Sequence, residues 1–365
     1  MYKYLFFAIQ FIFGTILLWS CTDKGLDVSC VNIALNSSDT TKSSFDRYFD
    51  VTECLPLQGP VDCQISFARR VIFFENEYYV FSSNGNVGLF VFDKNGKFTR
   101  RIGNKGNGRG EYTNILDFTI DIKNRRIFII CNRSSLIKIY SLDGKYLEEK
   151  ILHETSLSDI ACVNGVILCP TNHQGFTKNE NDSLFYIFDE KFNFVDKHTF
   201  VTDNNLGMAS LIPSSIKAYG DKFVFSDFHE HRTFLLTAKG NIEKCFKYEE
   251  DDLIPLESQK NVKLFMGNQV KSSFVLSSSI LNDKCITFFK SGKDTKLSIN
   301  KFDGECVVNT SIRSFPYFLG YDGNQAISAI SYETLKALNI KYKGKENDSL
   351  NYFIIKYRLL PEYDK

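Results

Sequence analysis

The sequence predicts an all-β fold: a six-bladed β-propeller of four-stranded antiparallel blades, its ring closed by an N-terminal strand. Three observations carry this. The 365-residue chain holds 34 Phe and 18 Tyr against seven Pro, and aromatic side chains favour half-buried pleated surfaces. A charged tight turn between two apolar, aromatic-rich runs recurs at positions 96, 144, 193, 240 and 304, at intervals of 48, 49, 47 and 64. A four-stranded blade takes about 40–50 residues, and each interval contains about four strand-like runs. Length alone, at roughly 150 residues per domain, suggests two domains; the repeat replaces them with one ring over 45–365.

The elements follow in order. Lys3 heads an apolar run from Leu5 to Leu18 that ends Leu18-Trp19-Ser20-Cys21, which predicts a lipoprotein signal peptide over 1–20. The Leu three residues before Cys21 resembles a bacterial lipobox, and this implies acylation of the Cys21 thiol. Residues 21–44, rich in Ser, Thr, Asp and Asn, read as a flexible tether between lipid and folded body. Arg47–Leu57 has β character. Unit two shows the blade best: Asp117–Ile122 innermost, then Arg126–Cys131, Leu136–Ser141 and Tyr146–Leu152. At each repeat turn a Gly, or Asn193, is expected at the positive-φ position. The long fourth interval holds an insertion over Tyr248–Lys271, with the acidic run Glu249-Glu250-Asp251-Asp252 expected to be solvated. Unit six offers strands at Gln325–Ser331 and Asn351–Leu360, separated by a short helix at Tyr332–Asn339 and a polar loop at Lys341–Ser349. Its missing outer strand is Arg47–Leu57, so strands from both ends of the chain close the ring and remove an open edge.

Charge and cysteine usage exclude several classes. Lys and Arg number 44 against 43 Asp and Glu; loss of Lys3 with the signal peptide brings the mature chain to zero. No basic field exists to neutralise phosphates, so nucleic acid is not an expected partner. Beyond Cys21 nine cysteines remain, most in strand contexts where a thiol behaves as a small buried hydrophobe. Two local pairs, Cys54 with Cys63 and Cys162 with Cys169, are near enough in sequence to close in an oxidising compartment. The absence of CxxC excludes a zinc ribbon or a thioredoxin-type centre.

The stretch Ile102-Gly103-Asn104-Lys105-Gly106-Asn107-Gly108-Arg109-Gly110-Glu111-Tyr112, followed by Asp117–Asp121, Arg126–Ile129, Ile137–Tyr140 and Asp143-Gly144-Lys145, resembles an NHL repeat. More closely, it is similar to the Bacteroidetes lipoproteins with six-bladed β-propellers, which carry a glycine-rich link ending Gly-Glu-Tyr or Gly-Glu-Phe between the first two blades. The resemblance spans about residues 45–360, closest in unit two; Arg109 replaces a common Pro, and Cys131 replaces the Asp favoured in NHL repeats. It implies export, an acyl (palmitate-type) anchor on Cys21 holding the protein to the lipid bilayer, and a place in the cell envelope at the outer membrane. It implies no reaction.

The chemistry-bearing residues are few. The glycine-rich run is not followed by Lys-Ser or Lys-Thr and enters a strand, so it reads as a blade connector and not as a phosphate cradle. His229 and His231, at i and i+2 beside Asp227, are the densest candidate metal ligands, for Zn2+ or Ca2+; a solvated hairpin turn is the competing reading. No GxSxG, HExxH or EF-hand pattern occurs, and no cofactor is expected. Propellers bind at the mouths of the central channel. This makes Asp117, Asp121, Asp159, Lys217, Tyr219, Tyr317 and Tyr321 the candidate ligand-binding residues. The expected function is a non-enzymatic binding or scaffold module for a protein or glycan partner, with a metal-dependent lyase or hydrolase at the channel mouth as the alternative.

Overall fold

The computed structural model describes residues 29–35, 42–131, 135–152, 157–170, 185–198, 215–227, 231–254, 272–342 and 352–364. Six antiparallel sheets form six blades. Blade one comprises Ala68–Phe74, Glu77–Ser82, Gly88–Asp93 and Phe98–Ile102, from inner to outer strand. Blade two runs Ile115–Asp121, Arg126–Cys131, Leu136–Ser141 and Tyr146–Ile151, within two residues of expectation throughout. Blade three is Ala161–Val163, Val166–Pro170, Phe185–Phe188 and Phe194–His198; blade four is Ile216–Tyr219, Lys222–Asp227, Arg232–Leu236 and Ile242–Glu249. Blade five is Phe274–Leu281, Lys284–Ser291, Asp294–Lys301 and Cys306–Ile312. Blade six takes Gly320–Asp322, Gln325–Ser331 and Tyr352–Leu359 from the C-terminal end and its outer strand, Phe49–Pro56, from the N-terminal end. Among the described residues no helix is long and apolar enough to cross a membrane.

The recurring turn has one geometry. In blades one to five the pairing of third and outer strands slips by one residue beside the turn, at Val91/Phe92, Ile139/Tyr140, Ile187/Phe188, Leu235/Leu236 and Ile299/Asn300. Such a bulge needs a left-handed residue. Gly96 supplies it at φ 78°, and a side chain there would run into the Pro56 carbonyl. In blade three the left-handed residue is Phe192, at φ 63°, and not the expected Asn193. The Phe192 ring packs edge-on against Phe128 at 4.9 Å between blades two and three, and burying a Phe stabilises by about 1.5–3 kcal/mol. That offsets the backbone strain, while Asn193 bonds back to Asp189 at 2.8 Å.

The core is divided among the blade interfaces. Each of six apolar clusters joins one neighbouring pair, including the last pair, where Ile327 and Ile354 of blade six meet Val71, Val80 and Phe90 of blade one. The same closure carries a polar clasp. Lys356 of blade six bonds Asp322 at 2.9 Å and Glu53 of the N-terminal strand at 3.1 Å, and its ammonium lies 3.7 Å from the Phe73 ring of blade one. Tyr78 of blade one donates to Glu53 at 2.8 Å.

Three expectations are corrected. Part of the tether expected over 21–44 is folded: Val31–Ala34 adds a fifth strand to blade four, parallel to Ile242–Glu249, with Val31 opposite Phe246. Ile33 and Leu35 are fully buried there; the polar composition of the segment as a whole hid a short apolar run. Cysteine pairing also differs. Cys30 is joined to Cys245, with Cα atoms 4.5 Å apart, and Cys54, Cys63, Cys162 and Cys169 are free thiols. In blade three Cys162 faces Ile167 and Cys169 faces Tyr186, so strand register keeps those two apart. Finally, the acidic run is partly docked on blade five. Ser291 donates to Glu250 at 2.8 Å and Ser273 to Asp252 at 2.7 Å, and burial pushes the Glu250 carboxyl up. The short helix is Tyr332–Ala337, capped by Ser331, whose hydroxyl accepts the Thr334 amide at 3.2 Å.

Candidate functional site

Antiparallel order gives the ring two unlike faces. Inner strands end, and second strands begin, on a face of tight turns such as 75–76, 164–165, 220–221, 282–283 and 323–324. On the opposite face inner strands begin, and the described strand ends there are the ones joined by the longer segments of the sequence, 103–114, 171–184, 199–215, 250–273 and 332–351. The glycine-rich link belongs to this loop face. It is a connector as expected, wrapped around Glu111, whose carboxylate accepts the Gly108 amide at 2.8 Å. Tyr112 fixes its far end by donating to the Ile102 carbonyl at 2.8 Å.

On the loop-face side of the axis a polar cluster joins four inner strands. Arg70 of blade one forks onto Asp117 of blade two, Nε to Oδ1 at 2.8 Å and Nη2 to Oδ2 at 2.6 Å. Nη2 also reaches the Ile216 carbonyl of blade four, on the far side of the ring, at 2.5 Å. The Arg70 side chain thus crosses the channel. Asp117 additionally accepts the Ile160 amide of blade three at 2.9 Å. Burial pushes its carboxyl up, opposed by the Arg70 guanidinium and that amide; a bidentate, charge-assisted fork of this kind is among the strong hydrogen-bonding arrangements of a buried carboxylate.

Around this plug stand Arg69, Asp159, Ser215 and Lys217. Ser215 donates to Asp159 Oδ2 at 2.8 Å, and Arg69 Nη2 lies 3.8 Å from Asp159 Oδ1. Lys217 is 4% exposed. Burial, then the field of Arg70, pushes its ammonium down to about 7 against the pull of Asp159 and Asp117. The arrangement can hold charge and donate or accept hydrogen bonds in a fixed, water-poor setting, where such interactions are strong.

Three of the sequence candidates, Asp117, Asp159 and Lys217, are therefore brought together. Tyr219, further along the inner strand of blade four, and Tyr321, on the inner strand of blade six, form a second group towards the turn face, with ring centroids 4.8 Å apart. Tyr219 accepts the Asn282 amide at 3.2 Å, and Tyr321 shares a hydrogen bond with the Ser279 hydroxyl. Asp121 stands apart, at the turn end of its strand, where it takes Arg126 at 2.8 Å and Asn124 at 2.9 Å. Tyr317 packs its ring on Phe315 at 5.1 Å and its carbonyl accepts Ser328, in the approach to blade six. His231 is a buried turn residue at φ 53°, with its carbonyl accepting the Tyr248 amide at 2.9 Å. Asp227 pairs with Arg232 at 3.0 Å. His229 and Cys21 lie outside the described residues. Among the described residues no three His, Cys, Asp or Glu side chains are grouped to hold a metal ion.

Sequence reasoning missed Arg69, Arg70 and Ser215. Two adjacent arginines at the head of the apolar run Val71–Phe74 were the available signal, since strand alternation sends neighbours to opposite faces.

Comparison with known proteins bears on the fold. Residues 27–313 match the sequence pattern of DUF5128, a 6-bladed beta-propeller family. A putative exported protein from Bacteroides fragilis superposes with a TM-score of 0.70 at 17% identity, over 91% of this chain and 100% of that one. A member of the duf4221 family from Bacteroides vulgatus superposes at 0.55 with 9% identity, over 86% of this chain and 99% of that one. No curated protein matches the sequence.

Proposed function

We propose, for a chain that belongs to the DUF5128 family of six-bladed β-propellers, the role of an exported binding module. In this reading it is anchored to the membrane by acylated Cys21 and engages a protein or glycan partner on its loop face. The observation that carries the proposal is the asymmetry of the two faces. The described strand ends that the longer segments join and the charged axial cluster lie on the same side, whereas the described turns of the other side are short. A rigid ring with its longer connections and a polar centre at one mouth is built for recognition.

Export is supported by the Cys30–Cys245 disulfide, since such bonds persist in oxidising compartments. It is also supported by the leader-like first twenty residues and by the exported B. fragilis relative in fold.

Site-specific photo-crosslinking in living cells tests the face. A benzoylphenylalanine placed at Asn107, exposed on the glycine-rich link, is expected to yield discrete adducts; one at Lys94, exposed on the turn face, is not. Adducts from Lys94 with none from Asn107 would refute the assignment.

A further inference from the structure

The rim of the ring is covered unevenly. The N-terminal segment runs along blades four, five, six and one: Val31–Ala34 pairs with Ile242–Glu249, Ser43 with Ile312, Phe49–Pro56 with Tyr352–Leu359 and Gln58 with Lys97. Among the described residues nothing pairs with the outer edge of Tyr146–Ile151 in blade two. Six large apolar side chains stand exposed among the described residues, and four of them, Leu147, Ile151, Phe194 and Val195, belong to the outer strands of blades two and three. Leu147 and Ile151 lie near either end of the blade-two strand, 42% and 58% exposed. An open edge is a template for one more strand.

Hydrogen-bond phase and charge select the strand that fits. Leu152 donates its amide inward, to the Ser135 carbonyl at 2.8 Å. Backbone groups alternate in direction along an antiparallel strand, so Glu149 and Ile151 direct theirs outward. An antiparallel copy of the same strand must set outward residues opposite outward residues, which leaves few registers. Centred on Glu148, the pair sets Glu148 against Glu148 of the second copy; centred on Lys150, it sets Lys150 against Lys150 of the second copy. Like charges directly opposite are destabilising. Centred on Glu149, Glu148 meets Lys150 of the second copy and Leu147 meets Ile151 of the second copy, each pair twice by symmetry. Glu148 and Lys150 already lie 3.0 Å apart within one strand, so charges of alternating sign line one face of the joint. The two central Glu149 carboxylates face each other, but each is held by Lys138 of its own copy at 2.9 Å.

We propose that the outer edge of blade two is a self-association surface, where a second copy of this chain pairs antiparallel about Glu149 to form a two-fold dimer. Both copies use the same patch, so the contact is self-complementary and closes at two. This goes beyond the loop-face reading and does not depend on it, because the rim is a separate surface.

Sedimentation velocity of the purified full chain, joined to cysteine crosslinking, tests it. A concentration-dependent equilibrium of monomer and dimer is expected. Lys150→Glu sets Glu148 against a second acid and should weaken the dimer at least about tenfold, a margin of about 1.4 kcal/mol. Adding Glu148→Lys should restore it, because opposite charges meet again. With the exposed thiol of Cys306 removed by Cys306→Ser, Glu149→Cys should give a disulfide-linked dimer under mild oxidation. Residues directly opposite in a hydrogen-bonded pair have Cα atoms about 5.5 Å apart, within disulfide reach. Glu148→Cys in the same background should stay unlinked. A chain that remains monomeric up to about 1 mM would overturn the proposal and leave the edge to a strand from another protein. A dimer of undiminished strength in Lys150→Glu, or crosslinking of Glu148→Cys as readily as Glu149→Cys, would overturn it by placing the contact elsewhere.

Discussion

Lys217 shows how one residue couples this ring to pH. It lies on the inner strand of blade four, facing Arg70 and the carboxylates Asp117 and Asp159, with Arg69 beside the latter. Burial is the main reason that its ammonium is pushed down from the usual 10.5 to about 7. Between those values the unfolded chain holds a proton that the folded chain has released, so stability rises with pH across that window. Below it both states are protonated and the full cost of burying the charge is present. The rise amounts to about 1.4 kcal/mol per pH unit at its steepest. Lys217→Met should therefore stabilise the protein more at about pH 6 than at about pH 9, read as the difference between urea unfolding free energies of variant and wild type. A difference that is flat with pH would contradict this account. Of the axial cluster, Asp117, Asp159 and Lys217 were legible because inner strands and their loops converge at the channel mouth. The adjacent Arg69 and Arg70 were a visible signal, but the one-residue slip in pairing that brings both to the axis leaves no mark in the sequence.

The elements were legible where they repeat. Gln325–Ser331 agrees residue for residue, and Phe49–Pro56 falls inside the expected Arg47–Leu57. Val31–Ala34 was not legible: four residues are too few to show a period. Its pairing with blade four begins a belt of contacts. Leu35 accepts Asn309 of blade five at 3.2 Å, Ser43 donates its amide to Ser311 at 2.9 Å, and Gln58 reaches Gly96 of blade one at 2.8 Å. The described parts of the N-terminal segment thus cover the outer edges of blades four, five, six and one. The Cys30–Cys245 bond, across a sequence separation of 215, fixes the start of that belt. Cys245→Ser is expected to lower unfolding free energy by about 2–4 kcal/mol and to expose the amides of Val31–Ala34 to hydrogen exchange before those of blade four. Unchanged protection at Val31–Ala34 would show that the strand holds without its bond.

At the scale of the molecule, closure is the central event. Six interfaces of similar kind make a ring with no privileged end, and blade six, which makes the last of them, is completed by the pairing of Phe49–Pro56 with Tyr352–Leu359. The two ends of the chain therefore meet in one blade. An acyl anchor at Cys21 would sit only nine residues before the disulfide at Cys30, which at about 3.3–3.6 Å per residue is a leash of roughly 30 Å at most. The ring would then stand close to the bilayer with the edge of blade four nearest. Cys21→Ser should end metabolic labelling by an alkyne fatty acid and release the protein from the membrane fraction; persistent labelling would refute the anchor.

The sequence by itself determined the class, the blade number and the strand that closes the ring, since each follows from periods repeated around the chain, and repetition survives local exceptions. Only the tertiary structure decided which charged residues share the axis, which cysteines pair and how much of the apparent tether is folded. Those outcomes depend on register and on contacts between distant blades: Arg70 reaches Ile216 and Cys30 reaches Cys245 because the ring closes and brings them there, and not through any spacing along the chain.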